Sequence, residues 1–151
     1  MADTPGLHDQ TGHLIRRAHQ IAVSVFFDTV GREVTPVQYA VMMLLREKPG
    51  IDQVTLAQEV ALDTSSIAEI AARLEAKGWI VRHLKARGQR SLELTPEGAA
   101  LLARLEPGIG ALQETLLGAF SARQRADFMR LLRRFVELNN ERSRAPLRRV
   151  G

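Results

Sequence analysis

The sequence predicts a mainly α-helical protein carrying one small β-hairpin. Three observations lead there. Helix caps and helix stops alternate along most of the chain, and apolar residues recur at helical spacing between them. One stretch, WIVRHLKARGQRSLELT at 79–95, drops that spacing for strand-like alternation around Gly88. With 151 residues, 45% of them hydrophobic, the chain is long enough for one core and too short for two comfortable domains, so a single unit spanning 1–151 is expected.

The elements follow in order. Leu14, Ile15, Ala18, Ala22, Val25 and Phe26 fall on one stripe, so a long first helix is expected over 7–30, ended by Gly31. Thr35-Pro36 pairs a hydroxyl cap with a proline suited to a first helical turn, which starts a second helix over 36–48, stopped by Pro49-Gly50. That helix is apolar nearly all round and should be buried. Asp52 caps a short third helix over 52–62, with Val54, Leu56, Ala57 and Val60 apolar. Asp63 caps a fourth, in DTSSIAEIAARLEAKGW at 63–79, and Gly78 ends it.

The fourth helix has two chemically distinct faces. At about 100° per residue, Ile67, Ile70, Ala71 and Leu74 gather on one side, and Ser65, Ser66, Glu69, Ala72, Arg73 and Ala76 on the other. The polar side chains from Thr64 to Arg73 are thus presented outward. Small neighbours let the helix backbone approach a duplex, hydroxyls at the positive helix N-terminus can meet phosphates or base edges, and Arg73 reaches furthest. Helices three and four in this order make a helix-turn-helix, although the pair alone fits an ordinary helical hairpin equally well. The β-hairpin that follows carries Arg82, Lys85, Arg87 and Arg90 against one acid, Glu93. Such a tip either touches phosphates and the minor groove or is simply solvated.

Two further helices are expected over 96–120 and 122–143, with Ser121 as the cap between them. Pro107 falls inside the first and should bend or break it near Glu106. In the second, Phe128, Leu131, Leu132, Phe135 and Leu138 form an apolar stripe flanked by arginines. That stripe, with apolar parts of the first helix, suits a partner helix in a dimer or else completes the chain's own core. Residues 144–151, with Pro146 and Gly151, are expected to fray.

Composition narrows the chemistry. The net charge of +4 is concentrated in the hairpin and beyond residue 121, which points to a polyanionic partner. The absence of cysteine removes disulfides, thiolate metal sites and thiol redox sensing. No apolar run approaches the roughly 20 residues that span a bilayer, and the start lacks a signal-peptide pattern, so a cytoplasmic, nucleoid-associated protein is expected. His8, His13, His19 and His83 are too scattered for a helical metal pair, and no metalloprotease, phosphate-loop or nucleophile-elbow pattern occurs. No enzyme, cofactor or metal is expected.

LAQEVALDTSSIAEIAARLEAKGWIVR followed by SLELTPEG, with TPVQYAVMMLL ahead of them, resembles the winged helix-turn-helix of the MarR family of bacterial regulators over nearly the whole chain. The resemblance implies a DNA-binding lobe at 35–95 and intertwined dimerisation helices at 7–31 and 96–143. It implies two-fold dimers that present paired reading helices to operator half-sites. DNA contact then falls to Thr64, Ser65, Ser66, Glu69 and Arg73 on the reading helix and to Arg82, Lys85, Arg87 and Arg90 on the wing. One departure is plain: the family's wing usually pairs an acid with its minor-groove arginine, and KARGQRS at 85–91 has no acid, so Arg87 or Arg90 must reach without that partner.

A ligand site is read from the helix wheel. Arg16 and His19 lie at the edge of the first-helix stripe beside Phe26, while Tyr39 and Met43 sit on the second helix. Those five could enclose a small flat carboxylate or phenol; alternatively Arg16 is a surface ion-pair residue and His19 a core-edge histidine. The resemblance, closest to regulators of aromatic and N-heteroaromatic acid breakdown, implies a repressor released by such an acid. A winged-helix module that senses ligand or binds protein without DNA is the rival reading, and a small helical enzyme a remoter one.

Overall fold

The computed structural model describes residues 3–149. In chain order these form a 3-10 turn at Leu7–Asp9, α1 at Thr11–Thr29, α2 at Pro36–Glu47, β1 at Ile51–Asp52, α3 at Gln53–Glu59 and α4 at Thr64–Ala76. There follow β2 at Ile80–Leu84, a tip turn at Ala86–Gly88, β3 at Arg90–Leu94, α5 at Pro96–Leu117, α6 at Ala122–Asn139 and a closing turn at Asn140–Arg142. The fold class is the expected one, mainly helical with a wing.

The expected caps, Thr35, Asp52, Asp63 and Ser121, act as the sequence implies, and Thr95 joins them at the start of α5. Thr35 and Ser121 each form a reciprocal capping box, with Gln38 and Gln124 respectively, and Asp52, Asp63 and Thr95 accept from the first-turn amides of α3, α4 and α5. Bonds from the backbone N–H and then the hydroxyl of Ser66 hold the Asp63 carboxyl below its ordinary pKa. For Asp52, burial would raise the carboxyl, but bonds from the Thr55 hydroxyl and the backbone outweigh it and the net shift is downward.

Four features differ from expectation. The first helix starts at Thr11, because Gln10 is extended and separates it from the Leu7–Asp9 turn. A third strand, β1, joins the sheet; its two residues pair antiparallel with β3, Ile51 against Leu92 and Asp52 against Ser91, giving the order β1-β3-β2. So short a strand carries no periodicity to be read. The second helix is not buried all round: Val41, Met42 and Leu45 face the core while Val37 and Ala40 are exposed. Finally, α5 runs unbroken through Pro107. The proline removes the amide that would bond to Ala103. Buried Leu101, Leu102 and Leu105 before it, and Ile109 and Leu112 packed on the core after it, hold the rod together.

One core serves the whole lobe. Phe26, Val34, Val41, Met42, Leu45, Leu56, Ile67, Leu74, Ile80, Leu92, Leu101 and Leu102 are all buried in it, so α4 and the wing share packing with α1, α2 and α5. Two glycines allow elements to meet backbone to backbone. A Cβ on Gly98 would lie 2.0 Å from the Trp79 carbonyl oxygen, and one on Gly108 would lie 2.6 Å from that of Thr29. Thr95 locks the first of these contacts: its N–H donates to the Trp79 carbonyl at 3.0 Å and its hydroxyl to the Gly78 carbonyl at 2.6 Å.

Gly98→Ala is therefore expected to lower stability by about 1–3 kcal/mol through forced displacement of Trp79, seen as a lower urea midpoint at unchanged slope. Asp63 yields a pH test. Its folded carboxyl ionises at lower pH than the unfolded one, so its capping contribution is complete above about pH 4 and is lost as pH falls through the depressed folded value. Asp63→Asn keeps the acceptor without the charge. The stability gap between wild type and this variant should close on acidification, and a gap constant from pH 7 to pH 3 would contradict the assignment.

Candidate nucleic-acid interface and ligand site

The outward face of α4 stands open. Ile67, Ala71 and Leu74 are buried beneath it, while Thr64, Ser65, Glu69, Ala72, Arg73 and Ala76 are exposed and Ser66 is half-buried. The Ser66 hydroxyl donates to Asp63 at 2.9 Å, which leaves it free to accept from a base amino group rather than donate. Arg73 donates to Glu69 at 2.6 Å, with both side chains about two-thirds exposed, at 68% and 65%. So exposed a pair contributes little to stability. It does orient the guanidinium, whose remaining N–H groups stay available to guanine, with the carboxylate beside it able to accept from cytosine.

The wing is built for reach. Lys85 N–H bonds to the Gln89 carbonyl at 2.6 Å and closes the tip, where Arg87 and Gly88 both take positive φ, 62° and 74°. Gly88 adopts that conformation without steric cost; Arg87 is held there by the tight loop. Lys85, Arg87 and Arg90 are exposed, and Arg87 and Arg90 line a cleft of about 250 Å³ shared with Asp52, Gln53 and Val54 at the start of α3.

Arg82 departs from this set. Its guanidinium donates twice to one oxygen of Glu75, at 3.2 and 2.9 Å, and its backbone N–H donates to the other at 3.0 Å; its side chain is only 16% exposed. Those bonds, with the added field of Arg90, hold the Glu75 carboxyl below the usual carboxylate range. Arg82 thus braces the wing against the end of α4 instead of projecting from it. Sequence reasoning missed Glu75 because the pair spans the chain reversal at Gly78, where helical spacing says nothing about neighbours.

The five residues expected around a ligand are only partly brought together. Phe26 is buried with its ring 6.1 Å from that of Tyr39, and Met43 packs half-buried on the same core. Burial pushes the Tyr39 hydroxyl upward in pKa, with Arg46 lowering it and Glu106 raising it. Arg16 and His19 lie on the exposed N-terminal half of α1, and Arg16 bonds to His13 Nδ1 at 3.2 Å. Ten residues separate Arg16 from Phe26 on that helix, about 15 Å of rise, so one chain alone does not close a pocket around all five. Among the described residues, no group of three or more His, Cys, Asp or Glu is placed to hold a metal ion.

Comparison with known proteins agrees with this geometry. A sequence profile of the MarR family matches residues 34–91, the lobe from just before α2 through the wing. The transcriptional regulator HosA of Escherichia coli is 36% identical over 106 residues, which cover 69% of this chain and 78% of HosA. The crystal structure of the PcaV transcriptional regulator from Streptomyces coelicolor with its natural ligand superposes with a TM-score of 0.83 at 34% identity, covering 89% of this chain and 97% of PcaV. Bordetella bronchiseptica BpsR, whose DNA binding is regulated by 6-hydroxynicotinic acid, superposes with a TM-score of 0.81 at 26% identity, covering 89% and 99%. An exposed polar reading helix, a basic wing beside it and these relatives lead to one conclusion: the chain belongs to the MarR family of transcriptional regulators.

Proposed function

We propose that this protein is a homodimeric repressor that reads a pseudo-palindromic operator and leaves it when a small aromatic or N-heteroaromatic carboxylate binds. The observation that carries the reading is the open face of α4, with its Glu69–Arg73 pair, flanked by a wing whose tip holds Lys85, Arg87 and Arg90 and no acid. Thr64, Ser65 and Ser66 supply hydroxyls at the positive end of the reading helix, and the wing cations supply phosphate and minor-groove contacts. The reading places the protein on the chromosome in the cytoplasm and gives it no catalytic role; no described helix is long and apolar enough to cross a membrane.

Dimerisation follows from what α6 leaves uncovered. Phe128, Leu131, Leu132, Phe135 and Leu138 are 40–67% exposed along one stripe, and Leu14, Ile15 and Ile21 of α1 are similarly open. A second copy covering both faces brings the terminal helices together and sets the distance between two copies of α4. The same assembly supplies what the ligand site lacks. Arg16 and His19 of the exposed α1 half gain a second wall, with Arg16 positioned to clamp a carboxylate while Phe26, Tyr39 and Met43 provide an apolar floor. The effector class is supported by BpsR and its response to 6-hydroxynicotinic acid. Ligand that favours one spacing of the reading helices over another by about 1–3 kcal/mol shifts operator affinity roughly 5- to 150-fold.

Footprinting on the protein's own upstream DNA should show two protected half-sites about one helical turn apart. Arg73→Ala should lower specific affinity by about 1–3 kcal/mol, whereas a protein that binds no DNA at all would favour the rival sensing or protein-interaction module. A panel of aromatic and pyridine carboxylates should release the wild type. Arg16→Ala should stay on the operator and lose that response, and an unchanged response would remove Arg16 from the ligand site.

A further inference from the structure

Beyond α6, in the stretch expected to fray, the chain doubles back and Ala145, Leu147 and Arg148 make hydrogen bonds; Val150 and Gly151 lie outside the described residues. The Asn140 side chain donates to the Leu147 carbonyl at 3.0 Å and accepts from the Leu147 N–H at 2.8 Å. A single amide thereby closes the loop as a paired strand would. The Arg148 guanidinium grips both carboxylate oxygens of Glu141, at 2.5 and 3.1 Å. Ala145 and Pro146 are half-buried inside the hook.

The hook has a destination. The Arg148 N–H donates at 2.8 Å to the carbonyl of Gln58, in the last turn of α3. Helix-terminal carbonyls lack intrahelical donors, so an outside N–H is a natural partner. The same Gln58 carbonyl accepts the Ala61 N–H at 3.3 Å, and Ala61, in the turn between α3 and α4, sits at φ 56°, where a side chain is strained. The tail thus touches the bend of the helix-turn-helix itself. At its other end α6 is fixed to α5 by Arg125 and Glu114 at 3.2 Å, and to the turn after α5 by Phe128 and Phe120, with ring centroids 5.6 Å apart.

We propose that this C-terminal hook is a positioning device for DNA reading: Asn140, Glu141 and Arg148 tie the far end of α6 to the turn that aims α4. The inference rests on the DNA-reading function proposed above. It makes the dimerisation helix and the reading head one mechanical unit, and it assigns the tail a structural task distinct from its charge. Arg144 and Arg149 also lie in this segment, and a direct phosphate role for them is the competing outcome.

The test compares full-length Asn140→Ala, which changes no charge, with the double variant Arg144→Ala/Arg149→Ala. Binding is read by anisotropy on operator and on unrelated duplex across a salt series, with circular dichroism confirming the fold. Asn140→Ala is expected to weaken operator binding by about tenfold with an unchanged salt slope and unchanged affinity for unrelated DNA. Amide hydrogen exchange at residues 60–62 should rise in the same variant, and Arg148→Lys, which keeps the backbone N–H, should retain most of the affinity. Wild-type affinity and exchange in Asn140→Ala would overturn the proposal. So would a loss confined to the double arginine variant with a flatter salt dependence, which marks phosphate contact. Wild-type protein without operator preference would sink the DNA reading and this inference together, and the exchange measurement, which needs no DNA, would tell that failure from a tail that never docks.

Discussion

The reading surface depends on a contact that contains no side chain. Gly98, in the first turn of α5, lies directly on the Trp79 peptide, and Thr95 adds two hydrogen bonds to the same reversal, one to Trp79 and one to Gly78. The end of α4, the root of the wing and the start of α5 are thereby held at backbone contact distance. Hydrophobic packing gives the lobe its cohesion, but packing of apolar groups tolerates small slides. Hydrogen bonds and a steric stop do not. The aim of α4 relative to the wing is set here.

Charge is arranged around that junction with some economy. The wing has an acid partner for an arginine, but the pair is Glu75 with Arg82 at its root, and it spends its bonds on holding the hairpin to α4. On the reading helix Glu69 performs the orienting task for Arg73. The tip cations are left for solvent or phosphate. An interface of this kind gains affinity from its rim and selectivity from its helix, which is the usual division between backbone and base contacts.

Much of this was legible in the sequence because the decisive signals are local. Thr35, Asp52, Asp63 and Ser121 each stand at a helix start, and a cap is recognised from the few residues around it. The buried Ile67, Ala71 and Leu74 announce the inward face of α4 by spacing alone. What stayed hidden is what distance along the chain conceals. The two-residue β1 has no period, the Glu75–Arg82 pair bridges a reversal, and the docking of Arg148 on Gln58 joins residues ninety apart. Pro107 misled for a related reason. Its local cost is real, but Leu101, Leu105, Ile109 and Leu112 on either side anchor the rod to a core that a window of sequence cannot see. The candidate ligand residues were legible as types on a helix wheel, yet one chain brings together only Phe26, Tyr39 and Met43 and leaves Arg16 and His19 apart from them.

The seam at Gly108 carries a geometric consequence. There α5 rests against the last turn of α1 closely enough that a methyl group would collide with the Thr29 carbonyl. Thirteen residues separate this fulcrum from Thr95, about 20 Å of helical rod, so a rocking of about 3° displaces the wing end by about 1 Å. Hydrogen bonds to base edges do not survive errors much larger than that. Any shift of α1 relative to α5 at this seam is therefore passed along the rod, enlarged, to the junction that holds the wing and the end of α4.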